Sequence, residues 1–447
     1  METKKRDLTQ GDLKGHMKAL ALPAGLGLLI HTMYNVVDTW FAGRISTDAL
    51  AALSATFPLF FIIISASYGM GSGASALIAN EIGAGNEHRA KHLSAQTFLV
   101  GIVLSVVVSL AGLWILEPAL IELGLQEEVL VLGIAYMQIV FAGSFAFIFS
   151  DLLNAPLMAS GDMKTLFYVT LFAFLVNLLL NPAFMFGWGP LPEMGFKGIA
   201  YSTITCECMA ALYFGYRAVK EGLLDFKIGS DFIPRWRSQL LIIKHGVPAA
   251  LNLAGTGVGI YIILWFLSGF GKEVVAAYGI AMRVEQIVIL PVIGLELAAL
   301  SMVGQNYGAG LHGRAYDSFK LCIKYGLYVA VAASLLMLCF GKIMLGLFSS
   351  DVAVLAHAWD YLCIAILLSF AYPLLFITVY SMQGLKRPYY VLAIGLLRQV
   401  ILPISVFYLL TRILDWGIWG VWWGLFFFTA ASAIGSWIYV NRVFKKL

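Results

Sequence analysis

Twelve long apolar stretches separated by short polar connections constrain this chain more than any other feature. They fall at approximately 17–42, 48–80, 92–115, 128–158, 163–187, 197–219, 239–269, 274–305, 316–341, 352–382, 388–410 and 416–441. A helix needs about 20 such residues to cross a hydrocarbon core of about 30 Å. Several stretches are much longer, which predicts tilt, kinks or helix continuing past the membrane. Hydrophobic residues make up 60% of the 447 and charged residues only 12%, against about 25% charged in an ordinary soluble domain. Mean hydropathy is +0.86. A water-soluble fold keeps a polar shell that this composition does not supply. The expected fold is an all-α polytopic membrane protein.

Positive charge orients the spans. The N-terminus (Lys4, Lys5, Arg6, Lys14, Lys18), the connections near Arg89, Lys164, Arg217–Lys244, Arg314 and Lys386, and the C-terminus carry 22 of the 29 lysines and arginines. The opposite connections carry only Arg44, Lys197, Lys272, Lys342 and Arg412, and Arg283 and Arg398 fall within spans. Both termini are expected in the cytoplasm of a cell with the protein in its inner membrane. The polar first 18 residues run straight into a span, so no cleavable leader is expected. Net charge of +4 follows from this topology and does not point to nucleic acid. The five cysteines lie in apolar stretches, and the Cys206–Cys208 pair has no His or Asp nearby to complete a metal site.

The sequence repeats at an offset of about 225 residues. Leu22-Pro23-Ala24 recurs as Val247-Pro248-Ala249, and Gly83-Ala84-Gly85 with Arg89-Ala90 recurs as Gly308-Ala309-Gly310 with Arg314-Ala315. Gly161 matches Gly384, and Gly195/Gly198 match Gly417/Gly420. Two pseudo-symmetric six-helix lobes follow: residues 1–220, a cytoplasmic linker at 221–238, and residues 239–447. Six spans per repeat leave both lobes in one orientation, an arrangement of secondary transporters with alternating access. Pro23 and Pro248, each removing a backbone hydrogen bond within a span, are candidate hinges.

With these residues on the page, the chain resembles the multidrug and toxic compound extrusion (MATE) family along nearly its whole length. The resemblance rests on Asn35-Val36-Val37-Asp38-Thr39, Gly83-Ala84-Gly85-Asn86, Gly304-Gln305-Asn306-Tyr307-Gly308, and Asn177-Leu178-Leu179-Leu180-Asn181-Pro182 followed by Met194-Gly195-Phe196-Lys197-Gly198. It implies export of small cationic or amphiphilic substrates against an inward proton or sodium flow, without a cofactor. The seventh span lacks the acid of the NorM-like branch, so the chain looks more like the DinF-like branch, with coupling in the first lobe.

Ionisable groups within spans are costly, by about 2.5–3.5 kcal/mol on insertion scales, and so mark candidate sites. Asp38, Asn177, Asn181 and Thr203 are expected at similar depth near the outer side, a carboxylate, two amides and a hydroxyl able to hold a proton or to ligate sodium at Asp38 and Asn177. The family uses this pocket for coupling. Asn181 stands where members often have Asp, which leaves Asp38 as the titrating group and favours the proton. Tyr34, Asn35, Glu207 and Glu285 are candidates for a substrate cavity. Glu296 and Arg398 are expected to form a structural ion pair, and Asp151 to anchor a helix. The alternative for Asp38 is that it merely caps or packs, and for Asn177, Asn181 and Thr203 it is helix–helix hydrogen bonding.

A lipid-linked or other small-molecule exporter of the same superfamily remains the alternative function. An intramembrane protease would need Gly-x-Ser-x-Gly or His-Glu-x-x-His in a span, and ATP use would need a phosphate loop; none occurs. No enzyme activity is expected, and the partners expected are lipid and small substrates around a monomer.

Overall fold

The computed structural model describes residues 7–125, 127–225 and 231–447. Lys4, Lys5 and Arg6 of the basic N-terminus and part of the linker, including Lys227, lie outside the described residues. In the first half, α1 spans Leu13–Ile45, α2 Thr47–Gly83, α3 Glu87–Glu122, α4 Glu127–Ala142, α5 Ser144–Ala159, α6 Met163–Phe186 and α7 Lys197–Lys220. In the second, α8 spans Trp236–Ser268, α9 Lys272–Gly308, α10 His312–Gly346, α11 Val352–Gly384, α12 Pro388–Leu396, α13 Leu402–Tyr408 and α14 Ile418–Phe444.

Local chemistry sets these ends. Asp12 caps α1, accepting backbone hydrogen bonds from Gly15 at 2.8 Å and Lys14 at 3.2 Å. Those bonds stabilise its charged form and hold its pKa below the usual carboxylate value. Ser46, Asp162 and Asp351 cap α2, α6 and α11 in the same way. The repeated Gly-Ala-Gly motif closes α2 and α9: Gly85 and Gly310 sit at φ +72° and +73°, left-handed turns that suit glycine.

Ten described helices are long and apolar enough to cross a membrane, or eleven with α4 and α5 taken as one bent span. Helix α7 completes twelve. Its 24 residues can cross, but Ser202, Thr203, Thr205 and Glu207 lower its hydropathy. It is the span that carries the polar groups described below.

Two departures from simple helices were not apparent in the sequence. The fourth span breaks at Gly143 with a bend of 42°. The eleventh contains two π-helical turns, Leu397–Ile401 and Leu409–Ile413. The first lies just before Pro403, whose ring would meet the carbonyl of Gln399 in a regular α-helix; the wider turn relieves that clash.

The described residues form two compact units. Unit 1 contains Leu26–Ala250, and unit 2 contains Leu8–Gly25 and Leu251–Leu447. The boundaries therefore cut α1 and α8, each two residues after its proline. In unit 1, α5 packs on α2, α3 and α7, and α7 on α6. In unit 2, α11 packs on α9, α10 and α14, with Trp422, Phe407 and Leu362 among the fully buried side chains.

The start of α8 lies on α2 in unit 1. A Cβ on Gly69 would come within 2.3 Å of Ala250 Cα, and one on Gly73 within 2.6 Å of Gly246 Cα. Small residues four apart on both helices let the backbones touch. Unit 2 repeats this contact, because a Cβ on Gly294 would lie 2.3 Å from the Ala21 carbonyl and 3.1 Å from Gly25 Cα. Gly69/Gly294 and Gly25/Ala250 are both 225 apart in sequence, so the repeat extends to its tightest packing.

Polar ties hold the segments that precede both helices. In unit 1, Gln96 donates to the carbonyls of Asp231 (2.7 Å) and Ile233 (2.9 Å) and accepts from Arg235 N. His92 sits between Asp231 Oδ1 and Ser238 Oγ, 3.0 Å from each. In unit 2, Arg314 donates to the carbonyls of Gln10 and Gly11 at 2.8 Å and of Leu8 at 3.3 Å. Bonds from a charged donor contribute about 1.5–3 kcal/mol. Arg314→Ala is therefore expected to speed hydrogen exchange at the start of α1 by about tenfold or more, with α2 unchanged. Equal protection in both proteins would exclude this tie as the anchor.

Candidate functional site

Five side chains from α1, α6 and α7 meet in unit 1, toward the ends of α1 and α6 and the start of α7. Asn177 and Asn181 are one turn apart on α6 and share a face. Both turn their amide nitrogens to Asp38 Oδ1, at 3.2 and 2.7 Å. The Thr203 hydroxyl lies 3.0 Å from Asp38 Oδ2 and 3.0 Å from the Ile199 carbonyl. Asn181 also donates to Asn177 Oδ1 (3.0 Å), and Asn177 to Ser202 Oγ (3.2 Å). Asn177, Asn181 and Ser202 are fully buried, and Asp38 is 6% exposed.

The bonding pattern has a chemical consequence. Thr203 has one proton and faces two acceptors. With Asp38 ionised, Thr203 donates to it and gives up the Ile199 carbonyl. With Asp38 protonated on Oδ2, the acid donates to Thr203, and Thr203 donates to Ile199. The same atoms thus satisfy the Asp38 carboxyl in both protonation states, while Asn181 Oδ1 is buried without a hydrogen-bond partner. Oδ1 keeps its two amide donors throughout. Among the described residues no cluster of three metal-ligating side chains occurs; Cys206 and Cys208 are free thiols.

The other candidates disperse. Tyr34, one turn before Asp38, is buried with its hydroxyl beside Thr203 and Cys206. Asn35 turns its amide back to the His31 carbonyl at 3.0 Å. Glu207 is half-buried on α7, one turn after Thr203, and interacts with Asp151 on α5. Asp151 is half-buried, and its Oδ2 accepts from Ser67 of α2 at 2.6 Å.

In unit 2, Glu285 is buried, receiving hydrogen bonds from Tyr361 (2.6 Å) and Tyr372 (2.7 Å). Both of its oxygens are so held, and it is 5% exposed. Arg283, two residues away, is exposed, as expected for opposite helix faces. Glu296 and Arg398 do not form the direct ion pair expected of them. They interact over a longer distance, Glu296 Oε1 is buried without a partner, and the Arg398 guanidinium lies 5.3 Å from the centre of the Phe376 ring. The π-helical turn that carries Arg398 also displaces it from the straight-helix depth on which the pairing was estimated.

Sequence reasoning missed Ser202, the Tyr361–Tyr372 pair, and Gln399, which donates to Thr256 at 2.9 Å. The tyrosines were legible in principle: eleven residues is close to three turns, so both face one side of α11.

The model of the MatE family matches residues 23–183 and 248–409, one block in each half. A FAD transporter of Shewanella oneidensis is 29% identical over 87% of this chain and 86% of its own. A probable multidrug resistance protein of Bacillus subtilis, YoeA, is 30% identical over 77% of each chain. A solved structure described as the outward-facing conformation of a multidrug resistance MATE family transporter superposes with a TM-score of 0.91, covering 100% of this chain and 99% of that one at 23% identity.

Proposed function

Because this chain belongs to the MatE family of multi-pass membrane transporters, we propose that it is a proton-driven antiporter that exports organic cations, coupled at Asp38. The observation that carries the reading is the set of partners around Asp38, which hydrogen-bond its carboxyl whether it is protonated or ionised. Sodium fits less well. Both asparagines offer nitrogen donors to Asp38 Oδ1, and a sodium ion there would require amide oxygens instead.

The interior charge of unit 1 favours a cationic cargo. Asp38, Asp151 and Glu207 lie within its spans, while every lysine and arginine in residues 26–220 sits at a helix end. The Shewanella relative is described as a FAD transporter, and FAD carries an anionic diphosphate. Three carboxyl groups among spans α1–α7, where no lysine or arginine lies away from a helix end, oppose such a cargo. Pro23 and Pro248, close to where α1 and α8 pass from one unit to the other, serve as hinges for alternating access. The protein works in the inner membrane with both termini cytoplasmic, as the positive charge distribution supports.

Dye uptake by inverted vesicles tests the ion. An acid lumen is expected to drive accumulation of a cationic dye such as ethidium, and a sodium gradient at matched pH is not. A sodium-driven signal as large as the proton-driven one would overturn the proton assignment.

A further inference from the structure

A groove in unit 1 takes no part in the Asp38 pocket. It runs between α6 and α7 with a volume of about 600 Å³, and its walls are largely apolar and aromatic. Tyr168 and Phe172 contribute from α6, and Met209, Tyr213 and Tyr216 from α7. Helical geometry turns it away from the Asp38 cluster. At 100° per residue, Tyr168, nine residues before Asn177, lies on the opposite face of α6. Leu212, nine residues after Thr203, lies opposite on α7 and also borders the groove. Tyr168 and Phe172 are exposed and continue through Leu175 and Leu179 as an apolar stripe. Polar side chains of a span face the bundle interior, and a stripe of this kind faces lipid.

Length and charge both point to the occupant. Tyr168 and Val176 of the wall are eight residues apart, about 12 Å along the helix. That is close to half of a hydrocarbon core of about 30 Å, the depth of one leaflet. The start of α6 and the end of α7 close the groove on the side where lysines and arginines gather. Arg217 ties those ends together, 3.0 Å from Asp162 Oδ2 and 3.0 Å from Glu221 Oε1. Both local acids are thereby engaged. Lys164 stands one turn before Tyr168, on the same face, and Lys220 Nζ lies 5.9 Å from the centre of the Tyr216 ring. Both lysines are exposed. Three cations (Lys164, Arg217, Lys220) against two acids (Asp162, Glu221) leave this end of the groove positive.

We propose that the groove between α6 and α7 binds an anionic phospholipid, with an acyl chain along the aromatic wall and the phosphate held by Lys164 and Lys220. The apolar walls suit a hydrocarbon tail. Tyrosines beside the lysines sit where amphipathic rings meet headgroups, and lysines at a membrane surface attract anionic lipid. A cationic cargo would meet the two lysines at the entrance and find no carboxylate in the wall. The site is therefore separate from the path of a cation and independent of the coupling ion.

Native mass spectrometry of the purified full chain, titrated with dioleoylphosphatidylglycerol or dioleoylphosphatidylcholine, tests the site. Wild type is expected to bind one phosphatidylglycerol at least about tenfold more tightly than phosphatidylcholine. The double variant Lys164→Gln/Lys220→Gln should lose that preference and keep its phosphatidylcholine binding. Both side chains are exposed, so the fold is not at risk. Ala173→Trp, which fills the groove from α6, should weaken both lipids alike; should it not fold, the lysine variant decides. Lys445→Gln/Lys446→Gln, at the exposed C-terminus, is the control and should keep the preference. An undiminished preference in Lys164→Gln/Lys220→Gln overturns the proposal. An equal loss in the C-terminal control does so too, because the attraction would then be diffuse. Displacement of the bound phosphatidylglycerol by ethidium would assign the groove to cargo and also overturn it. No gradient is applied, so failure of the Asp38 reading would leave each of these results unchanged.

Discussion

Asp38→Asn is expected to abolish proton-driven export while leaving a folded, cargo-binding protein. The carboxamide has nearly the shape of the carboxyl and can still accept from Asn177 and Asn181 through its oxygen. Its NH2 group can donate to Thr203 as a protonated acid does, so the pocket stays hydrogen-bonded. What disappears is the ability to ionise. Without two protonation states the pocket cannot distinguish the two sides of the membrane by their pH, and coupling is lost. Couplings between sites typically amount to about 1–3 kcal/mol, so gradient-driven dye transport should fall by about 10- to 100-fold. Thermal unfolding and equilibrium binding should change little. Thr203→Val separates the roles further: it keeps the acid but removes the group that changes partner, and should shift the pH profile of transport without abolishing it. Full proton-driven transport by Asp38→Asn would exclude Asp38 as the coupling group.

Gly69→Leu should produce the largest loss of stability away from any polar site. Its Cβ would lie 2.3 Å from both Cα and N of Ala250, a collision with backbone that no rotamer relieves. Helices α2 and α8 would have to separate, opening the contact that Gly73 and Gly246 share. Overpacking costs about 1–3 kcal/mol and at times more, and this contact lies at the upper end. The midpoint of thermal unfolding in detergent should drop by several degrees and the folded yield with it. Gly435→Leu on α14 is the control, since nothing lies within 4 Å of its Cβ position. Equal stability of the two variants would mean that the close contact between α2 and α8 does not support the fold.

Hydropathy made the spans legible. The boundaries agree closely at α6, read as 163–187 and found as Met163–Phe186, whereas α3, read as 92–115, runs over Glu87–Glu122. A span must be apolar along its own length whatever it packs against, so this property is local. The Asp38 cluster was legible for a related reason. Depth in a membrane follows from counting residues, and polar groups at equal depth have few choices of partner. The same counting failed for Glu296 and Arg398, because it assumes a straight, regular helix and the eleventh span is interrupted by π-helical turns. Glu285 illustrates a different limit. Its burial depends on two phenols 76 and 87 residues away, and nothing local announces them.

The sequence alone determined that this chain lives in a membrane, that it is built from a repeat of six spans, and that a carboxylate, two amides and a hydroxyl lie at one depth. Each is a sum or a periodicity along the chain, and so survives without coordinates. The tertiary structure alone decided how Thr203 stands between Asp38 and the Ile199 carbonyl, how Tyr361 and Tyr372 reach Glu285, and where small residues let α8 touch α2. Those facts depend on how each helix is rotated about its axis, at 100° per residue for 3.6 residues per turn. Packing between distant segments fixes that rotation, and hydropathy does not encode it.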